Sequence, residues 1–276
     1  MIPAGRHASG QSLDAIILAL TRRARGHFGL APREWLVLLT IVTAAVQRYV
    51  RAPETDPRFL DATPLPLHLS GRISRRRVAE VTGLAPETVR RTVLRLIGAD
   101  LVREERGGLH SRPGILAEMS EAGLVDDLLA LLCAGWGSNL CLVSPRKEET
   151  ARLVAYRLGN TGLGWLVSLQ RQYPLSPATV EALLFLLTDT DCASLSERAT
   201  ARAADLPRET LRRHFAQLAV HGLTEQTPLG PQLLPAAAMR HRQHPETRER
   251  ERLSEQLLQD FLRLGVLGPT GCAGAR

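Results

Sequence analysis

The sequence has little of what builds most β-rich folds. Only one of its 35 basic residues is lysine, Lys147, and aromatic residues make up 4% of the 276 positions. A core with so few aromatic rings must be filled by Leu, Ala and Val, which favours a mainly α fold over a β-sandwich or barrel. A chain with 44% hydrophobic residues is too apolar to be wholly disordered. The length allows one large domain or two small ones.

The chain also lacks a hydrophobic run that could cross a bilayer. The longest, Trp35 to Val46, has 12 residues including two threonines, whereas a spanning helix needs about 20. This run predicts a buried helix and no membrane partner. Residues 1–10 lack the features of a signal peptide. The four cysteines form no CxxC pair, so no disulfide framework is expected and the cytoplasm is the expected location.

Catalytic and cofactor motifs are missing as well. There is no GxxxxGK[ST], HExxH or GxSxG sequence, so we expect no enzyme, no cofactor and no metal site. The glycine-rich residues 159–164 follow a helical pattern rather than a strand, which predicts a turn between helices. His214 and His221 are predicted to be exposed surface residues.

An internal repeat is the most informative feature that is present. Residues 73–101 align with residues 195–223 without gaps at a spacing of 122, with 10 identities in 29 positions. Both copies contain the core Glu-Thr-(Val/Leu)-Arg-Arg. Two such matches in one chain suggest a duplication.

The first copy predicts a compact local structure. Ser74 is a candidate N-cap for a short helix that ends at Gly83, where a left-handed backbone conformation closes the turn. A second helix is predicted from Pro86 to about Gly98. The sequence VREERGGLH then predicts a β-hairpin around Gly107 and Gly108.

Helical patterns surround both copies. Helices are predicted at residues 32–50 and 176–189, at 115–134, 148–158 and 163–173 in an acidic connector, and at 245–264 near the C-terminus. Residues 51–71 contain four prolines and predict irregular structure. The tail from residue 265 is predicted to be frayed.

The order helix, tight turn, helix and hairpin resembles the winged helix-turn-helix of bacterial transcription regulators. The phrase TGLAPETVRRTVLRLIGADLV is similar to the MarR, GntR and catabolite-activator groups. The resemblance implies two winged helix-turn-helix units with small hairpin wings, joined by a helical connector. The four segments are a first unit with N-terminal helices (1–115), a connector (116–175), a second unit (176–235) and a C-terminal helix and tail (236–276).

The resemblance also implies which residues meet DNA. In this family the second helix enters the major groove, and catabolite-activator-like proteins carry an R-E-x-x-x-R pattern at its start. The second copy has the whole pattern as Arg208, Glu209 and Arg213, whereas Pro86 replaces the first arginine in the first copy. The candidate DNA-binding residues are Arg75, Arg76, Arg77, Glu87, Thr88, Arg90, Arg91, Arg95, Arg103, Arg106, Arg208, Glu209, Thr210, Arg212 and Arg213.

Charge separates the two copies. Residues 72–112 contain ten arginines and five acids, a net of +5, whereas residues 194–226 contain five arginines and four acids, a net of +1. Phosphate attraction is therefore expected to be stronger in the first unit, which we expect to be the main DNA reader. The second unit is expected to read a half-site weakly or to serve as an assembly surface.

These expectations describe a sequence-specific regulator of transcription that binds double-stranded DNA and is associated with the nucleoid. A homodimer is possible through the helix at residues 13–25 and the C-terminal apolar stripe. The alternatives are a plasmid-type replication initiator, which also uses tandem winged helices, and a winged-helix scaffold for protein interactions. No small-molecule effector follows from the sequence.

Overall fold

The chain is mainly helical, as predicted. The computed structural model describes residues 12–51, 59–136, 140–142, 149–188, 208–227 and 230–269, which form 11 helices and three two-stranded antiparallel sheets. The helices are α1 (Leu13–His27), α2 (Pro32–Val50), α3 (Arg75–Thr82), α4 (Pro86–Gly98), α5 (Ile115–Glu121), α6 (Leu124–Trp136), α7 (Ala151–Gln172), α8 (Pro177–Thr188), α9 (Arg208–Val220), α10 (Pro235–Gln243) and α11 (Pro245–Arg263). The strands are β1 (Val102–Glu105), β2 (Gly108–Ser111), β3 (Leu140–Leu142), β4 (Thr224–Thr227), β5 (Gly230–Leu233) and β6 (Leu267–Pro269).

The first copy of the repeat has the predicted order of elements. The Ser74 hydroxyl caps α3 by accepting a hydrogen bond from the Arg77 amide at 3.1 Å. Gly83 ends α3 in the left-handed conformation at φ 69°. After α4, the hairpin β1–β2 folds back, and its residue Leu109 pairs with Ile73 through an isolated bridge. The bridge ties the hairpin to the segment that enters α3.

The second copy repeats this backbone in register. Helix α9 and the hairpin β4–β5 begin and end 122 positions after α4 and the hairpin β1–β2. The same hydrogen bond follows each helix at 3.0 Å, Leu101 N to Leu96 O and Leu223 N to Leu218 O. In the residue just before each of these leucines the backbone has a positive φ, 53° at Asp100 and 63° at Gly222. Residues 195–207, which hold the predicted first helix of this copy, lie outside the described residues.

Two pairs of helices join the copies, and each helix of one pair packs against a helix of the other pair. Helices α1 and α2 form one pair and α7 and α8 the other, and the second helix of each pair begins with a proline, Pro32 or Pro177. Helix α1 packs against α8, and α7 packs against α2. A buried ion pair crosses the first contact, with Arg25 Nη2 2.8 Å from Glu181 Oε1. One continuous hydrophobic core results.

The predicted turn at residues 159–164 is wrong, because α7 runs unbroken from Ala151 to Gln172. Its glycines allow neighbouring helices to approach closely. A Cβ atom at Gly159 would lie 3.3 Å from Thr43 Oγ1 in α2, and one at Gly164 would lie 2.9 Å from Leu253 Cδ1 in α11. Tertiary packing thus overrides the low helix propensity of glycine.

Other boundaries also differ from the predictions. The helix predicted at residues 115–134 is divided into α5 and α6. The tail predicted to be frayed contains β6, which pairs with β3, while residues 270–276 lie outside the described part of the chain. Residues 59–71 contain neither an α-helix nor a strand, as predicted for the proline-rich segment.

Gly135 in α6 lies so close to Ile16 in α1 that a larger side chain does not fit there. We expect Gly135→Ala to lower the free energy of unfolding by about 1–3 kcal/mol, because the new Cβ would lie 2.2 Å from Ile16 Cδ1 and 2.6 Å from Ile16 Cγ1. The matched control is Gly26→Ala, at an exposed helical position with no atom within 4 Å of the new Cβ. This control should raise stability by about 0.5–1 kcal/mol. Urea denaturation measures both, and equal stabilisation by the two variants would contradict the packing argument.

Among the described residues, no single helix has both the length and the apolarity to cross a membrane. Helices α1 and α2 reach those limits only when taken together, and they meet at an angle of 87°.

Candidate nucleic-acid interface

The outer face of α4 carries a small network of charges. Both carboxylate oxygens of Glu87 accept hydrogen bonds from Arg90, at 2.7 and 2.8 Å, and one also accepts from Arg91 Nε at 3.1 Å. The Arg91 side chain is 70% exposed and that of Arg90 50%. Thr88 beside them is half-buried. The two guanidinium groups are thus held on the surface with donor atoms left for an acidic partner.

The arginines of this network predict an unusually low pKa for the Glu87 carboxyl. Hydrogen bonding to Arg90, with the charges of both arginines, lowers the pKa of Glu87 to about 2. A lowered pKa means that the pairs stabilise the fold fully above the ordinary value of 4.5 and lose this effect as the pH falls through about 2. A carboxyl NMR titration should therefore show Glu87 ionised at pH 3.5. A midpoint near 4.5 would contradict the pairing.

The three arginines at the start of α3 divide into two groups. Arg75 reaches across to the hairpin, with Nη2 2.6 Å from Glu104 Oε2. Arg76 and Arg77 instead pair with Glu80 on their own helix at 2.9 and 3.1 Å, and their side chains are 90% and 65% exposed. Arg75 therefore links α3 to β1, while Arg76 and Arg77 lie on the surface with most of their side chains exposed.

Arg95 has a comparable linking role. Its Nη1 donates to Glu34 Oε1 at 2.9 Å and so joins α4 to the start of α2. Burial alone would raise the pKa of Glu34, but hydrogen bonds from the Ala31 amide and from Arg95 outweigh it and lower the pKa. The ionised Glu34 holds α4 against α2.

The hairpin adds further cations. Arg103 and Arg106 are exposed, and Arg103 lies 3.9 Å from Asp100. Arg112, at the base of the hairpin, pairs with Glu118 in α5. The hairpin thus carries two exposed arginines.

A basic groove next to α3 was not predicted from the sequence. It is an open cavity of about 830 Å³ between α2, α3 and α7, and no carboxylate is among its lining residues. Its arginines are Arg48, Arg51, Arg72 and Arg77. Only Arg77 belongs to the predicted set. Arg48 and Arg51 stand at the end of α2, and Arg72 stands just before the repeat. The repeat covers none of the three, so only their arginine content could have drawn attention to them.

The second copy presents a similar helix face with different neighbours. Arg208, Glu209, Arg212 and Arg213 are exposed and Thr210 is half-buried on α9. The prediction that His214 is an exposed surface residue is wrong, because it is half-buried and its Nδ1 lies 2.9 Å from Thr179 Oγ1 in α8. Burial lowers the pKa of His214. His221 is exposed, as predicted.

The surfaces suggested for a homodimer are used inside the chain. Leu257 and Phe261 of the C-terminal stripe are buried, and α11 packs along α7. Helix α1 is covered by α6 and α8. Within the described residues, both apolar faces therefore pack against other helices of the same chain.

The described residues contain no group of three or more His, Cys, Asp or Glu side chains that could hold a metal ion. Comparisons with protein-family models, with curated proteins and with solved structures found no match.

Proposed function

We propose that the chain is a sequence-specific regulator of transcription that binds double-stranded DNA through two winged helix-turn-helix units. One observation carries the proposal: the sequence Glu-Thr-x-Arg-Arg, with its glutamate and both arginines exposed, occurs twice, 122 positions apart, on the same helix and hairpin framework. A framework with an isolated bridge at Ile73 and a hairpin after α4 has the element order of a winged helix. In such units the second helix reads the major groove.

The charges on α4 suit this role. A guanidinium donates two hydrogen bonds to guanine O6 and N7, and a carboxylate accepts from cytosine N4. Arg90, Arg91 and Glu87 are therefore the proposed base-reading residues of the first unit. Arg76, Arg77, Arg103 and Arg106 are proposed to contact phosphates, which position the protein without reading sequence.

The two units are proposed to act unequally. The second hairpin carries no cation, and His214 on α9 faces inward to Thr179. The first unit is therefore proposed as the main reader, with α9 making weaker contact through Arg208, Glu209 and Arg213. Helix α1 packs against α8, and α7 packs against α2. These contacts would fix the position of the two units relative to each other. A cytoplasmic, nucleoid-associated location and the absence of catalysis belong to the same proposal.

A DNA-binding assay on the full chain tests the proposal. Genomic fragments are incubated with the protein at rising salt, and bound fragments are separated by mobility shift and sequenced. We expect selective binding whose log affinity falls linearly with log salt, with a slope of about −0.9 for each phosphate contacted. Absence of binding at about 50 mM salt, where phosphate contacts act strongly, would overturn it.

An occupancy map in cells separates the proposed regulator from a replication initiator. Many occupied promoters would support the regulator. One cluster of repeated sites would instead show an initiator and overturn the assignment to transcription.

A further inference from the structure

Helix α4 exposes a leucine on the face that carries its charges. Leu94 is 48% exposed and is one of four large hydrophobic side chains that lie exposed among the described residues. It stands four positions after Arg90 and three after Arg91, so helical spacing places the three side chains next to one another. The face proposed to read bases therefore contains an apolar group beside its cations.

The neighbours of Leu94 on α4 leave it uncovered. Arg90 and Arg91 both donate to Glu87, which draws their guanidinium groups toward the start of the helix and away from Leu94. Four residues further on stands Gly98, which has no side chain that could cover Leu94. A Cβ atom added at Gly98 would meet nothing within 4 Å, so a partner has room to approach the leucine.

The DNA bound by this face would offer a matching apolar group. In the major groove, the edge of a base pair presents the C5-methyl group of thymine as its apolar feature. We propose that Leu94 reads thymine by packing against this methyl group, while the neighbouring arginines hydrogen-bond to base edges. This inference rests on the function proposed above and adds a base preference to it.

The second copy differs at the corresponding position. Ala216 stands 122 positions after Leu94 and is exposed on α9, but its side chain is a single methyl group. A shorter side chain buries less of a thymine methyl group, since the gain is proportional to the apolar area removed from water. The preference for thymine is therefore assigned to the first unit.

Replacement of single thymines by deoxyuridine tests the proposal, because deoxyuridine lacks only the C5-methyl group. A duplex selected by the full chain from genomic fragments is prepared with each thymine replaced in turn, and affinities are measured by fluorescence anisotropy. At the thymine that Leu94 contacts, the replacement should lower the affinity of the wild type about three- to fivefold, the worth of one buried methyl group. In Leu94→Ala the same replacement should change the affinity by less than about twofold.

Two further variants serve as controls. Leu94→Met keeps a long apolar side chain and should retain a loss of more than about twofold on methyl removal. Met239→Ala removes an apolar side chain that is 53% exposed on α10 and should leave the wild-type pattern unchanged. Circular dichroism checks that each variant folds, which is expected because both positions are exposed.

The possible failures of the two proposals are distinct. Equal sensitivity of the wild type and Leu94→Ala to every deoxyuridine replacement would overturn the role of Leu94, and so would a selected site without thymine. Either result leaves DNA binding itself standing. Absence of DNA binding at about 50 mM salt would instead overturn the function proposed above and this inference with it.

Discussion

Removing the two arginines of α4 together, by Arg90→Ala and Arg91→Ala, is expected to lower affinity for a selected DNA site by about 30-fold or more. A good contact between an arginine and a base is worth about 1–3 kcal/mol, and 1.4 kcal/mol is a factor of ten. Both side chains are exposed and held by Glu87, so their loss should leave the fold intact. Fluorescence anisotropy with labelled duplexes measures the effect, and circular dichroism checks folding.

Matched variants separate base reading from general attraction. The double variant Arg212→Ala, Arg213→Ala changes the two corresponding positions of the second copy. It should lower the affinity for DNA by less, because residues 194–226 carry a net charge of +1 and residues 72–112 a net charge of +5. Arg76→Ala should weaken all duplexes about equally and reduce the salt slope by about 1. If the α4 double variant weakened selected and random duplexes to the same extent, Arg90 and Arg91 would be phosphate contacts rather than base readers.

Arg250→Ala is expected to lower the free energy of unfolding by about 3–5 kcal/mol, the usual cost of removing one partner from a buried charged pair. Arg250 is fully buried in α11. Its Nη1 donates to Gln172 Oε1 at 2.8 Å and Ser168 Oγ at 3.2 Å, and its Nη2 lies 3.9 Å from Asp14 Oδ1. Truncation leaves these groups buried without their donor.

The network around Arg250 joins both ends of the described chain. His241 Nε2 lies 2.8 Å from Asp14 Oδ2, and His241 Nδ1 lies 2.9 Å from the Tyr173 hydroxyl. Burial raises the pKa of Tyr173 to about 12, so the Tyr173 hydroxyl in this contact stays protonated. The network therefore connects α1, α7, α10 and α11.

Arg252→Ala is the control for this prediction. It removes an arginine two positions away on the same helix, where the side chain is 60% exposed and pairs with Glu249 at 2.6 Å. Exposed pairs are worth about 0–1 kcal/mol. Urea denaturation of both variants gives the comparison, and a loss below about 1 kcal/mol for Arg250→Ala would show that the network adds no stability.

The sequence predicted local structure well where chemistry acts over a few residues. Ser74 as an N-cap, Gly83 as a helix end and the hairpin at residues 102–111 all follow from side-chain and backbone preferences of neighbouring positions. The candidate face of α4 was also predictable, because helical periodicity places Glu87, Arg90 and Arg91 outside once Val89 and Val93 face the core.

Tertiary contacts account for the predictions that failed. The glycines of α7 were predicted to form a turn because glycine has a low helix propensity. The close approach of Thr43 and Leu253 to these glycines could not be predicted, because both residues are far away in the sequence. His214 looked exposed because its partner Thr179 lies 35 positions away. The basic groove is likewise assembled from separate segments.

The sequence by itself determined the helical class, the repeat and the concentration of positive charge in residues 72–112. Composition, identity at fixed spacing and charge are properties of the chain that need no contacts to be read. Only the tertiary structure decided that Arg75 and Arg95 link elements together while Arg90 and Arg91 face outward, and that Leu94 stays exposed beside them. These roles depend on distances between segments far apart in sequence, which are fixed only when the core packs.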